Sequence, residues 1–252
     1  MGKIDWLYQL AKEGKSFTFS EAFAIIGGTK INLKKLLKRL EEKGYIERIE
    51  KSKYLIIPLG SEKSKYTLHE FAIGSLLVEP YAISYWSALN FYGFTEQIPL
   101  TVFIQTTTRR KKQQISIFGV EYKIVRIKNE KLFGIRKEWI EESQVYITDK
   151  EKTIIDCLDH PEYSGGIVEV AKGLMHLKEL DSGKIIKYAD MIHNSGVKRR
   201  LGYLCETLGL KIKISPPEVK NYLKLDPTMP EEGSKNNKWK LIINIDEKSL
   251  GE

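Results

Sequence analysis

Lys34, Lys35 and Lys38 stand on one side of the segment INLKKLLKRLEEKG, and Leu33, Leu36, Leu37 and Leu40 stand on the other. The leucines recur at i, i+3, i+4 and i+7, the spacing of a helix that buries one stripe, so the lysines form a cationic row facing solvent. Such a row is suited to neutralising phosphates. The residues alone leave two readings. In the first, the helix enters a major groove with Thr29, Lys30, Asn32, Lys34, Lys35 and Lys38 toward DNA, and the turn at Ser52 rests Lys51 and Lys53 on phosphates. In the second, it is a solvated basic helix in a domain that binds protein. Charge favours DNA: residues 1–60 hold 12 Lys and Arg against 7 Asp and Glu, so +5 of the chain's net +8 lies in less than a quarter of its 252 residues.

Residue types that could do covalent chemistry do not assemble at useful spacings. His69, His160, His176 and His193 form no H-E-x-x-H pattern and have no cysteine at metal-ligand distance, so no metal site is expected. Glu121-x-Lys123 has the form of half a metal-dependent nuclease site, which also wants an upstream acid to help hold the ion. There is no Asp between Asp5 and Asp149, and the nearest upstream Glu of that region is Glu96. The pair reads instead as a strand alternating between core and solvent. No G-x-x-x-x-G-K phosphate loop or G-x-S-x-G elbow is present, and Gly60-Ser61 is not followed by the paired carboxylates of a nucleotidyltransferase. The expectation is a protein that is not an enzyme and needs no cofactor.

The elements that must hold the lysine row follow from periodicity and punctuation. Residues 3–14 read as an amphipathic helix with Ile4, Leu7, Leu10 and Ala11 inward, and 20–26 as a second helix. Gly27-Gly28 makes a turn, Thr29 or Asn32 caps the lysine helix, and Gly44 closes it. Two β-rich runs, 45–49 and 54–57, complete the order of a winged helix-turn-helix over residues 1–60. Pro58 to Ser64 has the composition of a linker.

A second domain is expected over residues 65–252. It reads as helices at 68–77 and 80–91, strands at 100–106, 115–118, 121–127 and 144–148, and then helices at 150–158, 167–177, 182–193 and 197–208. A strand at 239–245 follows. Asp149 is placed to cap the helix after it. The fold class is α+β, a small mixed sheet with helices grouped behind it. Cys157 and Cys205 lie in apolar helical text and are expected to be buried free thiols. No apolar run approaches the roughly 18 to 20 residues of a membrane span, and the N-terminus does not read as a secretory signal. The chain is therefore expected to be soluble and cytoplasmic.

Three blocks carry a resemblance that periodicity does not supply. YAISYWSALNFYGFTEQIP (81–99), DKEKTIIDCLDHPEYSGGI (149–167) and RRLGYLCETLG (199–209), in that order, resemble the signature blocks of the AbiEi family, the antitoxins and transcriptional regulators of type IV toxin–antitoxin systems. YLKLDP (222–227), followed by a tryptophan strand, is similar to the family's C-terminal end. The resemblance implies an N-terminal domain that represses its own operon and a C-terminal domain that counteracts a cognate nucleotidyltransferase-like toxin. It also implies a monomer that binds inverted repeats of double-stranded DNA cooperatively. One departure bears on wing geometry and operator choice: Lys51-Ser52-Lys53-Tyr54 stands where the family often has Arg-Gly before an aromatic.

Within the second domain, Tyr81, Tyr85, Trp86, Phe91 and Tyr92 read as an aromatic helix that builds the core, in preference to a ligand cage. Lys152 and Asp156, at i and i+4, read as an ordinary surface pair or, with Glu151, as a partner surface. Lys198, Arg199 and Arg200 can cap helix ends, contact phosphate or meet an acidic toxin; as a positive cluster they are the first candidate for partner binding. The alternative function is a stand-alone winged-helix regulator whose second domain senses a ligand or a protein.

Overall fold

Apolar periodicity in the first 57 residues resolves into three helices and a three-stranded sheet. The computed structural model describes residues 5–13, 16–57 and 68–251. Its first elements are α1 (Asp5–Glu13), β1 (Ser16–Thr18), α2 (Phe19–Ile26), α3 (Lys30–Glu42), β2 (Ile46–Glu50) and β3 (Lys53–Ile56). β3 is the middle strand, antiparallel to both β1 and β2. Strand β1 is an element that the sequence reading did not include, since its three residues are too few to show a period.

Local chemistry sets the helix boundaries. Thr18 opens α2 with a capping box: its Oγ1 accepts the Glu21 N–H at 3.2 Å, and the Glu21 carboxylate accepts the Thr18 N–H at 2.6 Å. Thr29, rather than Asn32, caps α3, accepting the Asn32 N–H at 3.2 Å. Between the two helices Gly27 and Gly28 take φ +69° and +79°, a left-handed pair that side chains resist.

The core of this unit joins Leu33, Leu37 and Leu40 of α3 to Ile46, Ile56 and an aromatic group. Phe17 stacks on Tyr54 at 5.4 Å, and Trp6 meets Phe17 edge-on at 6.0 Å. The inner face of α1 differs from the expected stripe. Trp6 and Leu7 are buried and Ala11 is exposed, because the helix docks through its first turn, where the indole reaches Phe17. Ile4 and the Leu10 side chain lie outside the described residues.

The chain divides into units of residues 1–69 and 70–252; the expected linker, 58–64, lies outside the described residues. The second unit is α+β. It begins with α4 (Glu70–Ser75), β4 (Ala82–Ile83), α5 (Tyr85–Phe91), β5 (Thr101–Thr106), β6 (Gln114–Ile117), β7 (Val120–Arg126), β8 (Ile135–Ile140) and β9 (Ser143–Thr148). The six strands form one mixed sheet in the order β6-β7-β5-β4-β9-β8, in which β5/β7 and β4/β9 are parallel. Four helices follow: α6 (Lys150–Asp159), α7 (Ile167–Met175), α8 (Ser182–Met191) and α9 (Ser195–Thr207). A small second sheet of β10 (Leu223–Lys224), β11 (Ser234–Asn236) and β12 (Leu241–Ile243) closes the chain.

Asp149 caps α6 as expected, its Oδ1 accepting the Lys152 N–H at 2.8 Å. Two readings need correction. Pro80 does not open a helix: Ala82 and Ile83, both fully buried, pair with β5 and β9, and the helix starts only at Tyr85. Strand β8 was absent from the sequence reading because Arg136, Lys137 and Glu138 interrupt its apolar alternation, which an edge strand tolerates. No described helix is long and apolar enough to cross a membrane.

Candidate nucleic-acid interface

The exposed face of α3 and the β2–β3 hairpin enclose an open groove of about 540 Å³. Lys34 and Lys38 line it from the helix, Arg48 and Lys51 from the hairpin, and Glu41 is the one acid among the lining residues. The leucine stripe of α3 fixes this arrangement, since packing Leu33, Leu37 and Leu40 inward turns the lysines out. The hairpin tip is anchored where the Phe19 N–H donates to the Ser52 carbonyl at 2.8 Å. Ser52 takes φ +67°, so the turn adopts the left-handed conformation that suits glycine without having one.

The candidate residues take distinct places. Lys34, Lys38 and Lys51 come together along the groove, and Lys35 is exposed on the same helix face. Lys30 and Asn32 are exposed at the α3 N-terminus, and Thr29 is the cap of that helix. Lys53 is half-buried in β3. Lys38 pairs with Glu42 at 3.8 Å, both side chains largely exposed, so the pair contributes little to stability. Arg48 was missed. Its sequence, IERIE, reads only as strand; paired with Tyr54 in regular register, Arg48 is exposed and lines the groove, and the bulge comes after it, before Glu50.

In the second unit the proposed surface clusters are interior. Arg199 is 1% exposed and Arg200 8%. Arg199 Nε donates to the Trp239 carbonyl at 2.9 Å, and its Nη2 reaches the carbonyls of Asn221, at 2.9 Å, and Lys240. Arg200 donates to the carbonyls of Leu225 and Leu158, each at 3.0 Å, and of Lys224 at 3.3 Å. The two arginines tie the last strands to α9, which corrects the reading of Lys198, Arg199 and Arg200 as an exposed partner patch. Only Lys198 reaches solvent, and it pairs with Asp190 at 2.6 Å.

Lys152 and Asp156 are likewise no surface pair. Lys152 is fully buried, bonded to Asp156 Oδ1, with its ammonium 4.7 Å from the Phe133 ring centroid. Gln105 Nε2 donates to the other carboxylate oxygen at 3.2 Å. Glu151 is buried too, accepting the Asp181 N–H and the Lys184 ammonium, each at 2.9 Å. Burial alone would raise its pKa; these donors outweigh burial and hold it below the ordinary value.

The quoted blocks therefore carry packing as well as resemblance. Gly202 has the Trp239 indole against it, where a Cβ would overlap the ring, and Gly165 lies against Trp86. Tyr81 and Tyr85 are buried, but Tyr81 precedes β4 and Phe91 is 37% exposed, so the aromatic helix is shorter and less buried than expected. Glu121 is exposed and Lys123 half-buried on β7. Among the described residues no three His, Cys, Asp or Glu side chains are grouped to hold a metal ion. Cys157 and Cys205 are buried free thiols, and burial pushes the Cys205 pKa up to about 12.

No family model matches the chain, and a search of curated proteins finds no match. In structure the chain is similar to the RV2827C protein from Mycobacterium tuberculosis, known from a crystal structure, with a TM-score of 0.68. The likeness covers 98% of this chain and 93% of that one at 13% sequence identity, and it is a likeness of fold alone.

Proposed function

We propose that this chain is a DNA-binding transcriptional regulator that acts as the antitoxin of a type IV toxin–antitoxin system. Residues 1–60 serve as a winged helix-turn-helix: α3 enters the major groove of the promoter and the β2–β3 hairpin lies on the flanking backbone. The observation that carries this reading is the α3–hairpin groove, with four cations and one carboxylate among its lining residues. Phosphates are the partner such a groove neutralises, and the roughly 12 Å major groove admits an α-helix.

The antitoxin role rests on the AbiEi resemblance of the blocks at 81–99, 149–167 and 199–209. In this reading the protein represses its own operon, binding inverted repeats cooperatively as a monomer in the cytoplasm. It counteracts a nucleotidyltransferase-like toxin, directly or indirectly, without catalysis or a cofactor. The test pairs fluorescence anisotropy on the protein's own promoter with co-expression of the adjacent gene product. Preference for the promoter over scrambled duplex, together with rescue of growth, is the expected result. Equal affinity for both duplexes contradicts the regulator, and failure to rescue contradicts the antitoxin.

A second reading, a regulator whose second unit senses a ligand, is favoured by one feature. An open groove of about 710 Å³, lined by Glu79, Pro80, Tyr81, Leu132, Ile135 and Tyr146, offers largely apolar surface with one carboxylate, of the kind small molecules occupy.

A further inference from the structure

The first turn of α3 carries an isoleucine where packing asks for none. Ile31 is 67% exposed, while the leucines of the same helix fill the core. Residues three, four and seven apart share a helix face, so Ile31 is in line with Lys34, Lys35 and Lys38, one turn nearer the N-terminus. Helix propensity does not account for it, since Lys or Ala would serve better at an exposed position.

Two features fix its position. The Thr29 cap, whose Oγ1 accepts the Asn32 N–H at 3.2 Å, sets the backbone of this turn. β-Branching then confines the side chain largely to one rotamer, so little entropy is lost on contact.

In a docked recognition helix the N-terminal residues are those that touch base edges. The major-groove floor presents hydrogen-bonding groups and one apolar group, the C5 methyl of thymine. We propose that Ile31 is a specificity-determining residue that packs on the 5-methyl group of a thymine in each half-site of the bound DNA. The proposal rests on the duplex-binding reading above, and extends it from phosphate contact to base readout.

The experiment replaces each thymine of the footprinted promoter site, singly, with deoxyuridine, which keeps the base pair and removes only the methyl. Binding of the full chain and of Ile31→Ala is followed by fluorescence anisotropy. One thymine per half-site should weaken wild-type binding roughly fourfold when demethylated, the value of one buried methyl-sized group. Ile31→Ala should bind the unmodified site about that much more weakly and show no further loss on the deoxyuridine site. Its circular dichroism should match wild type. Equal wild-type affinity for thymine and deoxyuridine at every position overturns the proposal while duplex binding stands, and so does an Ile31→Ala protein that keeps the full thymine preference. Absence of duplex binding by the wild type overturns this proposal and the DNA reading together.

Discussion

Replacing Lys152 by Met strips a buried carboxylate of its cation. Lys152 has no solvent exposure and Asp156 is 3% exposed, so bulk water does not replace the lost cation, and the Gln105 amide still donates to the acid. Breaking one side of such a pair costs about 3–5 kcal/mol. For a unit the size of residues 70–252, each kcal/mol lowers the melting temperature by roughly 2–4 °C, so the loss should be about 6–20 °C. Burial, opposed by Lys152, raises the Asp156 pKa above the ordinary carboxylate value. An acid raised in the folded state contributes stability that is complete below its unfolded pKa of about 3.9 and is lost as pH rises through the folded value. Removing Lys152 raises the folded value further, so the deficit should grow as pH rises above the ordinary carboxylate range. Thermal melts by circular dichroism on the full chain measure both effects. Lys152→Met combined with Asp156→Asn should recover most of the loss, because no unpaired charge is then buried. A single variant within about 1 kcal/mol of wild type, or a double variant as unstable as the sum of the singles, refutes the reasoning.

The other consequences for the second unit can be read by the same melts. Gly202→Ala should cost roughly 1–3 kcal/mol or more, because its Cβ overlaps the Trp239 indole, and much less in a Trp239→Leu background; equal cost in both backgrounds would count against that contact. Arg200→Ala, which leaves the carbonyls of Leu158, Lys224 and Leu225 without their donor, should cost about 3 kcal/mol or more, whereas Lys198→Ala should stay within about 1 kcal/mol; similar effects at both positions would contradict the burial of Arg200. Burial lowers the His160 pKa, but the Glu162 hydrogen bond and the charges of Asp159 and Glu162 outweigh it and leave the pKa raised. Its stabilisation is complete below about 6.5 and is lost as pH rises through the folded value. Wild type should therefore lose melting temperature from pH 6 to pH 8 relative to His160→Gln, and parallel pH profiles would remove the linkage.

Helix periodicity made the first unit legible. Leu33, Leu37 and Leu40 and the Gly27-Gly28 turn each express a local rule, as does the Asp149 cap in the second unit, and local rules can be read along a chain. What failed were properties set by distant partners. Arg199 and Arg200 read as a surface cluster because nothing local announces that the carbonyls of Trp239 and Leu225 will come to meet them. Lys152 and Asp156 have the spacing of a surface pair, and only the packing of Gln105 and Phe133 around them shows otherwise. β8 was hidden by charges that an edge strand can hold toward solvent. Arg48 was not legible as a groove residue because the strand pattern does not show that its partner across the ladder, Tyr54, also lines the groove. Ile31 had a signal available: it is the apolar residue of α3 that falls outside the leucine stripe.

In the function proposed above, the α3 lysine face and the β2–β3 hairpin hold duplex DNA. The most direct measurement is the salt dependence of promoter binding by the full chain and by the Lys34→Ala/Lys35→Ala/Lys38→Ala variant. All three lysines face away from the core, so the variant should fold normally. Each lost phosphate contact should lower the slope of log K against log salt by roughly 0.9, giving a change of up to about 2.7 together with weaker binding. Unchanged affinity and slope in a folded variant would contradict the assignment of α3 to DNA.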